Sequence, residues 1–82
     1  MAGLSRTQRE LLWEMADGFE IWDTFEGAYL MNRDGQHIRK IKGTTLRNLR
    51  EQECVDLVDR GVAVNKYQIN ELGLGCARQQ GR

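Results

Sequence analysis

The residues of this chain that could do chemistry are few and scattered. Asp17, Glu20, Asp23 and Glu26 recur at spacings of three, and converging carboxylates can act as general acid and base. However, Phe19–Asp23 is rich in aromatic and β-branched residues and alternates in polarity, so it reads as a strand. Strand side chains alternate with period two, so a spacing of three sends successive acids to opposite faces. His37 lies among basic residues beside a turn and reads as a surface histidine. Cys54 and Cys76 stand 22 positions apart. With His37 as the only further soft ligand, they cannot complete a four-ligand zinc site. Arg50, one helical turn before Cys54, could favour a thiolate. Following Leu46 and Leu49, though, Cys54 reads as core, and the two cysteines read as small buried hydrophobes rather than a disulfide. Gly73-x-Gly75 is too short to cradle a phosphate. The expectation is a domain without catalysis, metal or cofactor.

Charge carries more information. Lys and Arg balance Asp and Glu at 12 each, for a net charge of zero, but they are not evenly spread. Residues 1–32 hold two arginines against six acids. Residues 33–50 hold Arg33, Arg39, Lys40, Lys42, Arg47 and Arg50 against Asp34 alone, six minus one, or +5. Residues 51–82 return to four bases against five acids. A positive middle between acidic flanks is either a solvated face or a polarised binding surface.

The elements that must position these residues follow from periodicity. Leu11, Leu12, Met15 and Ala16 recur at helical spacing, with Gln8 on the same stripe. Ser5 can cap this helix, Leu4 can staple it and Gly18 can end it, which predicts a helix over about 6–17. Phe19–Asp23, a turn at Glu26–Gly27, Ala28–Asn32, a tight turn at Asp34–Gly35 and Gln36–Ile41 predict an antiparallel meander. Ile38 and Ile41 are three apart, which predicts a bulge or strand end near Lys40. Gly43 breaks the chain, and Thr44 or Thr45 can cap a second helix to about Gln52. Its Leu46 and Leu49 point one way, while Thr44, Arg47, Asn48 and Glu51 point the other. Val55–Val58, a turn at Asp59–Gly61 and Val62–Ile69 predict a hairpin. Asn70 can cap a last helix, Glu71 to about Arg78, weakened by Gly73 and Gly75, with 79–82 as a frayed tail.

One resemblance spans most of the chain in order. Thr45-Leu46-Arg47-Asn48-Leu49, then Cys54-Val55, then a hairpin ending Tyr67-Gln68-Ile69-Asn70-Glu71-Leu72-Gly73 is similar to a winged helix-turn-helix domain. Members of that family carry a "T-L-R-x-L" recognition helix, an apolar pair opening the wing, and a returning strand ending "Y-x-L-T-x-x-G". The Ser-x-x-Gln-x-x-Leu-Leu opening at Ser5 fits the family's first helix. Two departures stand out: the strand-rich 19–42 segment replaces the short second helix, and Glu53 stands where a glycine usually closes the recognition helix. The resemblance implies one winged-helix-like α+β domain over 1–82, of the small prokaryotic or phage type. It also implies duplex DNA as partner. Arg47 and Asn48 would read bases, with Thr44 on the same face, and Arg39, Lys40, Lys42 and Arg50 would lie along the backbone. Arg60 and Lys66 would act from the wing. Useful affinity from so small a module would call for a homodimer.

A protein partner is the rival expectation, as for a phage or mobile-element inhibitor. Trp13, Trp22, Phe25 and Tyr29 supply aromatic anchors beside Glu20 and Glu26, and aromatic clusters typify interface hot spots. Phe19, Ile21 and Leu30 read as core. Met1–Glu10 lacks the layout of a secretory signal, and no apolar run approaches the ~18 residues of a membrane span. These features set the expectation of a cytoplasmic protein without a membrane role.

Overall fold

A computed structural model of the chain describes residues 5–80, with side chains to Arg78. Leu4 and residues 81–82, which bear on the expected staple and tail, lie outside the described residues. The fold is α+β: α1 (Arg6–Ala16), β1 (Glu20–Thr24), β2 (Gly27–Met31), β3 (His37–Ile41), α2 (Gly43–Glu51), β4 (Val55–Arg60), β5 (Val64–Ile69) and α3 (Glu71–Gln80). Among these residues no helix is long and apolar enough to cross a membrane.

Local chemistry accounts for the ends of the helices. Ser5 Oγ accepts from the Gln8 amide while Gln8 Oε1 accepts from the Ser5 amide, a reciprocal capping box. That bonding explains how Gln8 can be buried. At the far end Gly18 takes φ +105°, and the amides of Gly18 and Phe19 return to the carbonyls of Met15 and Glu14. α2 closes in the same manner without glycine. Glu53 adopts φ +58°, donating to Arg50 O, while the Cys54 amide donates to Leu49 O at 2.9 Å. Glu53 thus occupies the left-handed position that the family usually fills with glycine, against the preference of its own residue type.

The strands form one antiparallel sheet, ordered β3-β2-β1-β5-β4. The meander and the C-terminal hairpin merge because β1 pairs with β5, Ile21 opposite Tyr67. Strand alternation puts Ile21, Ala28, Leu30, Ile41, Val55 and Tyr67 on one face. There they meet Leu11, Leu12 and Met15 of α1, Leu46 and Leu49 of α2, and Ala77 of α3 in a single buried cluster, with Cys54 at its edge strand and Phe19 packed against it. Among the described residues no helix lies on the other sheet face.

Four boundaries differ from expectation, each for a physical reason. The bulge of β3 falls at Ile38, not near Lys40, since Leu30 pairs with Arg39 and Met31 with His37. This lets Ile41 be buried while Ile38 stays 43% exposed. A second irregularity at Val58 lengthens β4 to Arg60 and moves the turn from 59–61 to 61–63. There Gly61 approaches Val64 O so closely that a Cβ would lie 2.7 Å from it. Neither Thr44 nor Thr45 caps α2. The helix begins at Gly43 with extended Lys42 in the capping position and no side-chain cap. Ile41 and Leu46 must both reach the core, which leaves no room for a longer loop. Finally, α3 runs through Gln80, so 79–80 are helical rather than part of a frayed tail. Gly73 matters here because a Cβ at that position would overlap the Cys54 carbonyl oxygen, 2.2 Å away.

Candidate nucleic-acid interface

α2 is held from beneath by Leu46 and Leu49, 4% and 0% exposed. The helical step then turns Thr44, Arg47 and Asn48 to solvent, where all three are exposed. Among the described residues none of them makes an ion pair or side-chain hydrogen bond. Lys42 is likewise exposed and unengaged. Arg50, on the flank, lays its guanidinium over the Tyr67 ring at 5.4 Å from the centroid, which fixes its stem while leaving its charge at the surface.

The joint behind α2 centres on Asn70. Its Oδ1 accepts from the Gly73 amide at 2.8 Å, capping α3. Its Nδ2 donates to Glu53 O at 2.6 Å and to Asp56 Oδ1 at 3.0 Å, and its backbone amide donates to Cys54 O at 3.1 Å. One side chain thus ties the end of α2, the start of β4 and the start of α3 together. The sequence marked Asn70 only as a cap, and no local pattern pointed to the two long-range bonds. Beneath the joint Cys54 is buried and Cys76 is half-buried, both as free thiols. Burial first, then the neighbouring Cys76, pushes the Cys54 thiol up to about 11. A thiol so shifted is protonated at neutral pH, in keeping with a packing role.

The remaining basic residues do not form one cluster. Arg39 projects to the helix side and forms a two-pronged ion pair with Glu14 of α1, at 2.5 and 2.7 Å, so its charge is neutralised within the domain. Lys40, one residue on, alternates to the uncovered sheet face and stands beside Gly27. Arg33 lies across Gly18. Lys66 is not near a hairpin tip. It sits inside β5, its Nζ 4.4 Å from the Trp22 ring centroid and 3.8 Å from Asp59 Oδ2. Arg60 is exposed at the end of β4 opposite Asn65, and the register places it on the helix side. Of the basic residues expected at the interface, those left as surface charges on the helix side are therefore Lys42, Arg47, Arg50 and Arg60.

The aromatic set also divides. Trp13 is half-buried on α1, in the helix layer. Trp22 and Tyr29 lie on the uncovered face, where Trp22 Nε1 donates to Glu20 Oε1 at 3.2 Å and Gln68 donates to the other Glu20 oxygen. His37 meets the Tyr29 ring edge-on, centroids 4.8 Å apart. Phe25 is 89% exposed at the β1–β2 turn, beside exposed Glu26. Together with Met31, Ala63 and Val64 these rings line an open cleft of about 420 Å³. Sequence reasoning missed Met31, His37 and the apolar tip at Val62 and Ala63. Their shared face depends on the bulge and on the β1–β5 pairing.

No protein-family model, curated protein or solved structure matches this chain.

Proposed function

We propose that this domain is a non-catalytic duplex-DNA-binding module that presents α2 to a major groove and the β4–β5 hairpin to the adjacent backbone. The observation that carries the reading is the outer face of α2: exposed, unengaged Thr44, Arg47 and Asn48 on a helix whose inner face is locked into the core. The order α1, strand, α2, hairpin, α3 supports a winged-helix-like arrangement, with the β2–β3 hairpin standing where that family has its second helix. Arg47 matches the O6 and N7 acceptors of guanine, and Asn48 the N6 and N7 of adenine. Lys42, Arg50 and Arg60 supply phosphate contacts that set register. Arg39 is committed to Glu14, and Lys40 and Lys66 face away, so these three contribute little.

Three phosphate contacts give a log–log salt slope of about −2.7. Affinity for duplex should then fall ~40-fold between about 50 and 200 mM salt. Fluorescence anisotropy measures this directly. Arg47→Ala should change sequence preference, whereas Lys42→Ala should weaken all duplexes alike. An absence of binding at about 50 mM salt, where even non-specific contacts register, overturns the reading.

A second reading, docking on protein, is favoured by the exposure of Phe25 beside the Trp22–Tyr29 cleft. It predicts a partner lost on Phe25→Ala and retained on Arg47→Ala; the opposite pattern excludes it.

A further inference from the structure

The uncovered sheet face has an internal order that identifies its own partner. β1 is the central strand of five. The pairings Lys40 with Tyr29, Tyr29 with Trp22, Trp22 with Lys66 and Lys66 with Asp59 make one continuous row across the sheet. That row reads base, aromatic, aromatic, base, acid. The row beside it runs His37, Met31, Glu20, Gln68 and Asp56. Both rows are therefore basic or neutral at the β3 edge and acidic at the β4 edge; the first is aromatic in the middle, whereas the second carries Glu20 there, its carboxylate held by Trp22 and Gln68.

We infer that this face is the interface of a homodimer, in which a second copy packs sheet to sheet about a two-fold axis parallel to β1. Such an axis reverses the order of strands while keeping each row in place. Lys40 of each copy then lies over Asp59 of the other, twice by symmetry, and His37 lies over Asp56. Trp22 meets Trp22 at the axis, and Lys66 meets the ring of Tyr29, as a cation over an aromatic face prefers; Glu20 also meets Glu20, each carboxylate already accepting from Trp22 and Gln68 of its own copy. The same operation brings Phe25, 89% exposed, onto the partner's 61–63 turn, where Val62 is wholly exposed. The two most exposed large apolar side chains among the described residues thus cover each other. A partner of uniform charge would meet like charge at one edge, whereas a second copy meets opposite charge at both.

Size sets the expected strength. Five strands ~4.8 Å apart and about five residues of ~3.3 Å long give a face of roughly 24 by 17 Å. That is about 400 Å² per copy in projection, about half of the ~800 Å² per partner of a standard interface and in the range of weak, transient ones, so dimerisation no tighter than tens of micromolar is expected. Aligned sheets keep their strands within about 30°, which preserves the rows. The two α2 surfaces then point away from each other. The dimer presents two separate DNA-binding faces, not one palindromic pair, although the interface itself does not depend on the DNA reading.

Sedimentation equilibrium of the full chain at about 5–200 μM tests this, a range that brackets an affinity of tens of micromolar. The wild type should show a monomer–dimer equilibrium. Trp22→Ala should raise the dissociation constant at least ~30-fold, as loss of a hot spot does. Because Trp22 also packs under Lys66, the decisive variants are on the rim. Lys40→Glu and Asp59→Lys should each weaken association roughly three- to tenfold, and the two together should restore it. Circular dichroism and melting temperature establish that each variant is folded. A strict monomer at the highest concentration overturns the proposal. So does a dimer indifferent to all three positions, or a double variant no tighter than either single one.

Discussion

Replacing Asn70 with alanine tests whether the joint behind α2 is real. The substitution removes three bonds and leaves the backbone bond from residue 70 to Cys54 O intact. Loss of the α3 cap costs about 1 kcal/mol. Loss of the two Nδ2 bonds, to Glu53 O and to the Asp56 carboxylate, costs about 0.5–1.5 kcal/mol each. Asn70 is half-buried, so water recovers part of each, and the lower halves apply. The total is about 2–3 kcal/mol. For a domain of this size that is roughly a 10–20 °C fall in melting temperature. Asn70→Ser keeps an acceptor for the Gly73 amide but reaches neither Glu53 nor Asp56, so it should lose about half as much. Thermal unfolding by circular dichroism measures both. Hydrogen exchange adds a local readout, since the Glu53 and Cys54 amides that close α2 should exchange faster in both variants. Equal loss for Ala and Ser would show that the cap contributes nothing. A fall of less than about 3 °C for Ala would refute the joint altogether.

Three other outcomes follow from the same structure. Glu53→Gly should raise stability by about 0.5–1 kcal/mol, because φ +58° strains an L-residue more than it strains glycine; urea midpoints would show it. Leu49→Ala, at a site with no exposure, should cost about 2–4 kcal/mol, and an unchanged melting temperature would remove α2 from the core. Raising the Cys54 thiol from its ordinary 9.0 to about 11 means that the folded chain keeps a proton the unfolded chain loses. Stability present below about pH 9 should therefore be lost as pH rises from about 9 to 11. Cys54→Ala should flatten that part of the profile.

The elements were legible because their signals are local. The Ser5–Gln8 box, the 11–12–15 stripe, the Asp34–Gly35 turn and the Leu46–Leu49 pair each depend on residues within one or two turns, and each appears where periodicity puts it. The end of α2 was legible to within a residue, at about Gln52 against Glu51, but not the way it closes, because Glu53 is an unfavourable residue for its backbone angle. What holds it there is the Asn70 side chain, 17 residues away, and long-range bonds of that kind leave no periodic trace. Propensity was overridden by tertiary contact.

The division of the basic residues was harder to read for a different reason. Side chains alternate along a strand, so one extra residue exchanges every face assignment beyond it. The bulge at Ile38 sets His37 and Lys40 on the uncovered face and Arg39 with Ile41 on the other. A bulge placed near Lys40 instead would exchange some of those positions. The +5 segment thus seemed a single patch, although its members serve three purposes: Arg39 closes on Glu14, Lys40 edges the open sheet, and Lys42, Arg47 and Arg50 surround α2. A net charge of zero does not argue against DNA binding once the charges are sorted by face. Part of the acid that cancels them is spent within the domain or lies on the far side of the sheet, as Glu14 is paired, Glu20 is hydrogen-bonded to Trp22 and Gln68, and Asp59 faces Lys66, while Glu51 shares the outer face of α2 with Arg47 and Asn48. The quantity that bears on binding is the charge presented by one surface. That depends on strand register and sheet order, and the decisive pairing, β1 with β5, joins segments some forty residues apart in the chain.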